Sequence, residues 1–139
     1  MKILFDTNVI LDVLIERVPH HRYSVACMAG IEEGKTEGWV CSTTVTTIAY
    51  LLRKELSAQT AIKHIESLLT LFNVSIVNKQ VLFDALRNGF SDYEDSVLYQ
   101  SAVTSNLDGI ISRNKKDFKQ SKLPVYTPKE FAAILSQIN

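Results

Sequence analysis

Three short polar clusters carry the side chains best suited to chemistry. Asp6-Thr7-Asn8 follows directly on the apolar run Ile3-Leu4-Phe5. Ser91-Asp92-Tyr93-Glu94-Asp95 precedes Ser96 to Val103, a stretch that reads as a helix packed by Val97, Leu98 and Ala102. Asp92 and Asp95 are three residues apart and so share one helix face. Ser112-Arg113-Asn114-Lys115-Lys116-Asp117-Phe118 follows Gly109-Ile110-Ile111. Each cluster also has an ordinary structural role open to it. Asp6 or Asn8 can cap the helix that begins near Val9, and Asp92 can cap the next while Asp95 complements its dipole. The third cluster can be a polar loop anchored by Phe118. Asp95, however, is followed by small and apolar residues, which turns its side of the helix towards protein.

Carboxylates gathered at one place raise one another's pKa and lose hydration on burial, a cost that a divalent cation reverses. Oxygen ligands without converging His and Cys favour a hard ion, Mg²⁺ or Mn²⁺, over zinc. Water acidified by such an ion can attack a phosphodiester while the ion offsets charge on the transition-state oxygens. The ion would also supply positive charge that the composition lacks. Fifteen Lys and Arg balance fifteen Asp and Glu, so nothing in the total charge advertises nucleic acid or an anionic membrane. Cys27 and Cys41 are too few for a disulfide framework and lack the paired spacing of a zinc site. No apolar run approaches a membrane span, and the expected location is the cytoplasm.

The elements that must position these clusters alternate. Short apolar runs at Ile3 to Phe5, Trp39 to Cys41, Phe72 to Val77, Gly109 to Ser112 and Pro124 to Tyr126 predict strands. Helices are expected from His21 to Glu33, ending at Gly34, from a Ser57 cap to Leu71, and from an Asn78 cap to near Gly89. Thr127-Pro128-Lys129-Glu130 combines a cap, a first-turn proline and a box-closing glutamate, so a last helix starts there. Alternation of this kind predicts an α/β fold, a central, mostly parallel sheet between helical layers, with residues 1–139 forming one domain of 46% apolar content. Such sheets bind ligands beyond the carboxyl ends of their strands, where strand order reverses. All three clusters follow, or lie close to, such ends.

Phe5-Asp6-Thr7-Asn8-Val9-Ile10-Leu11-Asp12, Asp92-Tyr93-Glu94-Asp95 and Ile110 to Phe118, in this order and spacing, resemble the PIN domain family, which includes VapC-type toxin ribonucleases. The resemblance covers nearly the whole chain and implies a three-layer α/β/α fold, an Mg²⁺- or Mn²⁺-dependent ribonuclease, and commonly a homodimer. By position, Asp6 and Asp95 look like the first and third acidic residues of the family's metal site. Ser112 looks like the hydroxyl beside the fourth, with Asn8 a further supporting polar residue. Asn114 falls where many members carry that fourth acid, and Asp117 is the nearby carboxylate that would serve instead. The second acidic position is occupied by Thr47, within Thr44 to Lys54, and Asp92, one turn from Asp95, is the residue that would compensate.

The principal expectation is therefore an endoribonuclease whose catalytic and metal residues are Asp6, Asp95 and Asp117, with Asp92 a further ligand. RNA would be its substrate and an antitoxin its partner. The alternative is a PIN-like module without catalysis that binds RNA or protein, a reading to which Thr47 and Asn114 contribute. A receiver or phosphatase would need an acidic pair after the first strand, which Asp6-Thr7-Asn8 does not supply. Arg53, Lys54, Arg87, Arg113, Lys115 and Lys116 are the basic residues that could follow an RNA backbone, ordinary solvated surface being their alternative role.

Overall fold

The computed structural model describes residues 1–139. Strands β1 (Lys2–Phe5), β2 (Glu37–Cys41), β3 (Asn73–Ser75), β4 (Gly109–Ile111) and β5 (Val125–Tyr126) alternate with helices. The helices are α1 (Thr7–Leu14), α2 (His21–Glu32), α3 (Ser42–Glu55), α4 (Ala58–Leu71), α5 (Lys79–Ala85), α6 (Tyr93–Thr104) and α7 (Pro128–Leu135), with a 3-10 turn at Lys115–Phe118. The strand order is β3-β2-β1-β4-β5 and every pairing is parallel. From β1 the chain builds outward through β2 and β3, then returns to the other side of β1 for β4 and β5. The reversal point lies between β1 and β4, and their carboxyl ends flank the crevice where such sheets bind ligands.

Side chains alternate across the sheet and divide the core in two. Ile3, Phe5, Val40 and Ile111 pack with Val9 and Ile10 of α1, Cys27 of α2, Ile48 of α3, Leu68 of α4 and Phe131 of α7. Leu4, Cys41 and Ile110 face the other way, onto Leu98 and Ala102 of α6 and Phe118 of the 3-10 turn. Both cysteines are free and buried. Burying a side chain such as Phe5 or Leu4 contributes about 1.5–3 kcal/mol, so the middle strand β1 is held from both faces. Its end, where the first acid stands, is correspondingly rigid.

The capping signals operate as expected at Ser57, Asn78 and Thr127, the last with a complete capping box closed by Glu130. Two elements stop earlier than the apolar runs suggest. β3 ends at Ser75 because the Ser101 hydroxyl, 2.7 Å from Ser75 Oγ and 3.0 Å from the Ile76 carbonyl oxygen, occupies that edge. α5 ends at Ala85, where Leu86 and Arg87 donate to Phe83 and Asp84 in a tighter turn and Gly89, at φ +75°, redirects the chain.

Candidate active site

Asp6 begins where β1 stops. Its backbone N–H donates to the Ile111 carbonyl (3.0 Å), so the ends of β1 and β4 are tied together at the residue carrying the carboxylate. The side chain, 8% exposed, caps α1 by accepting from the Thr7 N–H (2.8 Å) and takes a second bond from the Ser112 hydroxyl (2.8 Å). Capping and site roles therefore coincide in one residue. Burial pushes the Asp6 carboxyl above its usual value, opposed by these two donors and by Arg113, while Glu94 repels it further. Ser112 is fully buried and also accepts from the Asn114 N–H (3.1 Å), which fixes the loop after β4. Asn8 does not cap; its side-chain oxygen accepts from Arg17 Nη1 at 3.0 Å.

Asp92 caps α6 by accepting from the Asp95 N–H (3.0 Å) and is exposed, whereas Asp95 in the first turn is half-buried. The Asp95 carboxyl is pushed up to about 7, first by burial and then by repulsion from Asp6, Asp92, Asp117 and Glu94. These carboxylates thus act on one another although they come from three separate segments. Asp117, in the 3-10 turn, is also half-buried. Glu94 acts on both Asp6 and Asp95 and was not singled out from the sequence; its place beside Asp95 in Asp92-Tyr93-Glu94-Asp95 was the available signal.

The neutral positions are arranged differently. The Thr47 hydroxyl donates back to the Thr43 carbonyl (3.0 Å) of its own helix. Thr44, three residues earlier and on the same face, is buried with its hydroxyl 2.9 Å from that of Thr7. Thr44 was missed as a contact to the first cluster because nothing in a threonine-rich helix start distinguishes one hydroxyl from the next. The Asn114 side chain is exposed.

Two of the basic residues are committed to ion pairs. Arg113 Nε lies 3.1 Å from Oδ2 of Asp12, which is fully buried, and Lys115 pairs with Glu130 at 3.1 Å. Arg53 sits in the last turn of α3, about 16 Å along the helix axis from Ser42. Lys54 lies 4.5 Å from the Tyr50 ring.

No three His, Cys, Asp or Glu side chains stand close enough to grip one ion together. The donor set nevertheless suits a hard cation: it is all oxygen, and a cation would relieve the mutual repulsion that raises Asp95. Mg²⁺ in particular keeps several waters and needs only one or two direct carboxylates.

A PIN domain family model matches residues 2–116, which include Asp6, Asp92, Asp95 and Ser112 and end one residue before Asp117. The chain belongs to the PIN domain family. Ribonuclease VapC1 of Aquifex aeolicus is 31% identical to it over 134 residues, covering 94% of this chain and 92% of that protein. Among solved structures, FitAcB from Neisseria gonorrhoeae superposes with a TM-score of 0.71 at 20% identity, covering 91% of this chain and 97% of its own. A toxin-antitoxin complex from Klebsiella pneumoniae gives 0.67 at 24% identity, covering 91% and 98%. The five-stranded parallel sheet and its flanking helices are thus the PIN fold, and Asp6 stands at its strand-order reversal.

Proposed function

We propose that this PIN domain is a divalent-metal-dependent endoribonuclease and the toxin of a toxin-antitoxin pair. The observation that carries the reading is the Asp95 carboxyl, pushed up to about 7 by burial and by four neighbouring carboxylates around the end of β1. A fold does not maintain such repulsion for stability, and a cation removes it. The kinship with Ribonuclease VapC1 supports RNA as the substrate, and the likeness to a toxin-antitoxin complex supports a protein antitoxin.

Asp6 and Asp95 would hold the ion directly, with Asp92, Glu94 and Asp117 contributing charge or contacts through water. Bound Mg²⁺ or Mn²⁺ would supply charge neutralisation at the scissile phosphate and a more acidic water. The chain's own part is orientation. Ser112 and the Thr7 N–H lock both oxygens of Asp6, and the Asp92 cap holds the turn that presents Asp95. Asp117 rides on a turn anchored by buried Phe118.

Other surfaces fit the remaining partners. A cleft of about 650 Å³ between α2 and α4, with Leu14, Met28 and Leu71 among its apolar lining and Glu32, His64 and Glu66 among its polar lining, offers a mixed seat for an antitoxin segment. Leu82, Phe83, Leu86 and Tyr93 expose an apolar face at α5 and the start of α6 that a second copy would cover in a homodimer. No helix is long and apolar enough to cross a membrane, in keeping with the proposed cytoplasmic action on RNA.

The decisive assay is cleavage of single-stranded RNA. EDTA should abolish it, and Asp6→Asn or Asp95→Asn should lower the rate by orders of magnitude while the protein stays folded. Full activity in Asp95→Asn would refute the assignment. A second reading, a PIN module that binds without cleaving, is favoured by the neutral Thr47 and Asn114 and by the absence of three ligands around one point. Wild type that binds RNA without cleaving it at any Mn²⁺ concentration would decide for this module.

A further inference from the structure

One residue beyond Ser112, Arg113 lines a cavity of about 230 Å³ together with His20, Tyr23, Thr127, Pro128 and Lys129. None of the six is acidic. Lys129 is exposed and forms no ion pair, its one aromatic neighbour being the Tyr23 ring at 5.9 Å. The Arg22 guanidinium stands 4.6 Å from the same ring. Of the nearby carboxylates, Asp12 is fully buried and paired with Arg113, and Glu130, though half-exposed, is bound by Lys115 and the Thr127 N–H. In a chain of zero net charge, the cavity thus sets one unpaired cation, Lys129, and the N–H groups of Arg113 and His20 beside an aromatic ring. That combination suits a nucleotide, whose phosphate needs charge and whose base can stack. Arg113 also acts electrostatically on Asp6, so the cavity and the acid cluster are neighbours across one residue.

Resting on the ribonuclease reading, we propose that this cavity binds a phosphate of the RNA strand next to the one cleaved. Lys129 and His20 donate to that phosphate, Arg113 borders it, and Tyr23 offers its ring to the attached nucleoside. The cavity gives the strand its direction across the acids and accounts for RNA binding by a protein without overall positive charge. An acidic peptide is disfavoured because the cavity is small and Arg113 on its wall lies beside the acid cluster, whose charge repels further carboxylates.

The test uses the full chain in EDTA, where the acids bind no metal and cleavage is silent. Affinity for a labelled single-stranded oligoribonucleotide is measured by anisotropy, and affinity for uridine 3′,5′-bisphosphate by calorimetry. Lys129→Ala and His20→Ala should each weaken both ligands about five- to tenfold, and Lys129→Ala should reduce the salt dependence for RNA by about 0.7 of a log unit per log unit. Lys63→Ala, on exposed α4 surface, should change neither. With Mn²⁺ restored, the cavity variants should raise KM with kcat little altered. RNA bound and cleaved equally well by wild type and both variants overturns the cavity while leaving the ribonuclease reading intact. Bisphosphate bound by wild type and lost in the variants, with no RNA cleaved under any condition, overturns the ribonuclease reading and leaves an anion cavity. Absence of binding of either probe to wild type overturns the proposal.

Discussion

Replacing Asp95 by Asn should make the metal-free protein more stable, by an amount that depends on pH. The Asp95 carboxyl is pushed from 3.8 to about 7 in the folded chain. A difference of about 3 units corresponds to about 4 kcal/mol at 1.36 kcal/mol per unit, as an upper limit. Asp95 is only half-buried, so solvent screens much of this, and about 1–2 kcal/mol is the expected effect. The folded pKa is raised, so between pH 3.8 and about 7 the native state holds the proton more tightly than the unfolded chain. Wild type therefore loses stability as pH rises through that window, and the loss is complete above the folded value. Asn carries no charge to lose. The assay is urea denaturation with EDTA at fixed protein concentration, since any dimer would add its own stability. At pH 8 Asp95→Asn should gain about 1–2 kcal/mol, or about 4–8 °C in Tm, with an unchanged m-value. Near pH 4 the two proteins should nearly coincide. No gain at pH 8, or the same gain at both pH values, would show that Asp95 is not under the strain of its neighbours.

Millimolar Mn²⁺ should raise the Tm of wild type by an amount equivalent to about 2.7 kcal/mol at a hundredfold excess over Kd, and Asp6→Asn should lose most of that gain in parallel melts; equal shifts would exclude Asp6 as an important ligand. Thr47→Glu should tighten Mn²⁺ binding in calorimetry, because it places a carboxylate one turn from Thr44, which touches the Asp6 cap through Thr7; unchanged affinity would mean that position 47 does not reach the ion. Arg113→Ala should cost about 3 kcal/mol at neutral pH by removing the ion-pair partner of the fully buried Asp12, and denaturation showing less than about 1 kcal/mol would mean that Asp12 is already protonated or is held by Arg17 and His20. Burial raises the Asp12 carboxyl and Arg113 opposes the rise, so the penalty should shrink as pH falls.

Local rules made much of this protein legible in its residues. Ser57, Asn78 and Thr127 cap the helices they introduce, because a cap depends on side chain and backbone within four residues. The alternation of apolar strands and amphipathic segments sufficed for a parallel α/β sheet, since parallel strands require crossovers whatever their order. Asp6 stood out because it follows the apolar run Ile3-Leu4-Phe5, which is fully buried. Contacts between distant segments were another matter. That Ser112 donates to Asp6 across 106 positions follows from β4 pairing with β1, and several strand orders satisfy the same alternation. The shared repulsion of Asp95, Asp6, Asp117 and Glu94 exists only once that order is set. Tertiary structure likewise decided the fate of the cations, drawing Arg113 onto buried Asp12 and Lys115 onto Glu130 and leaving Lys129 free at a cavity wall. Charge acts through space over a few ångströms, and sequence separation carries no record of that distance.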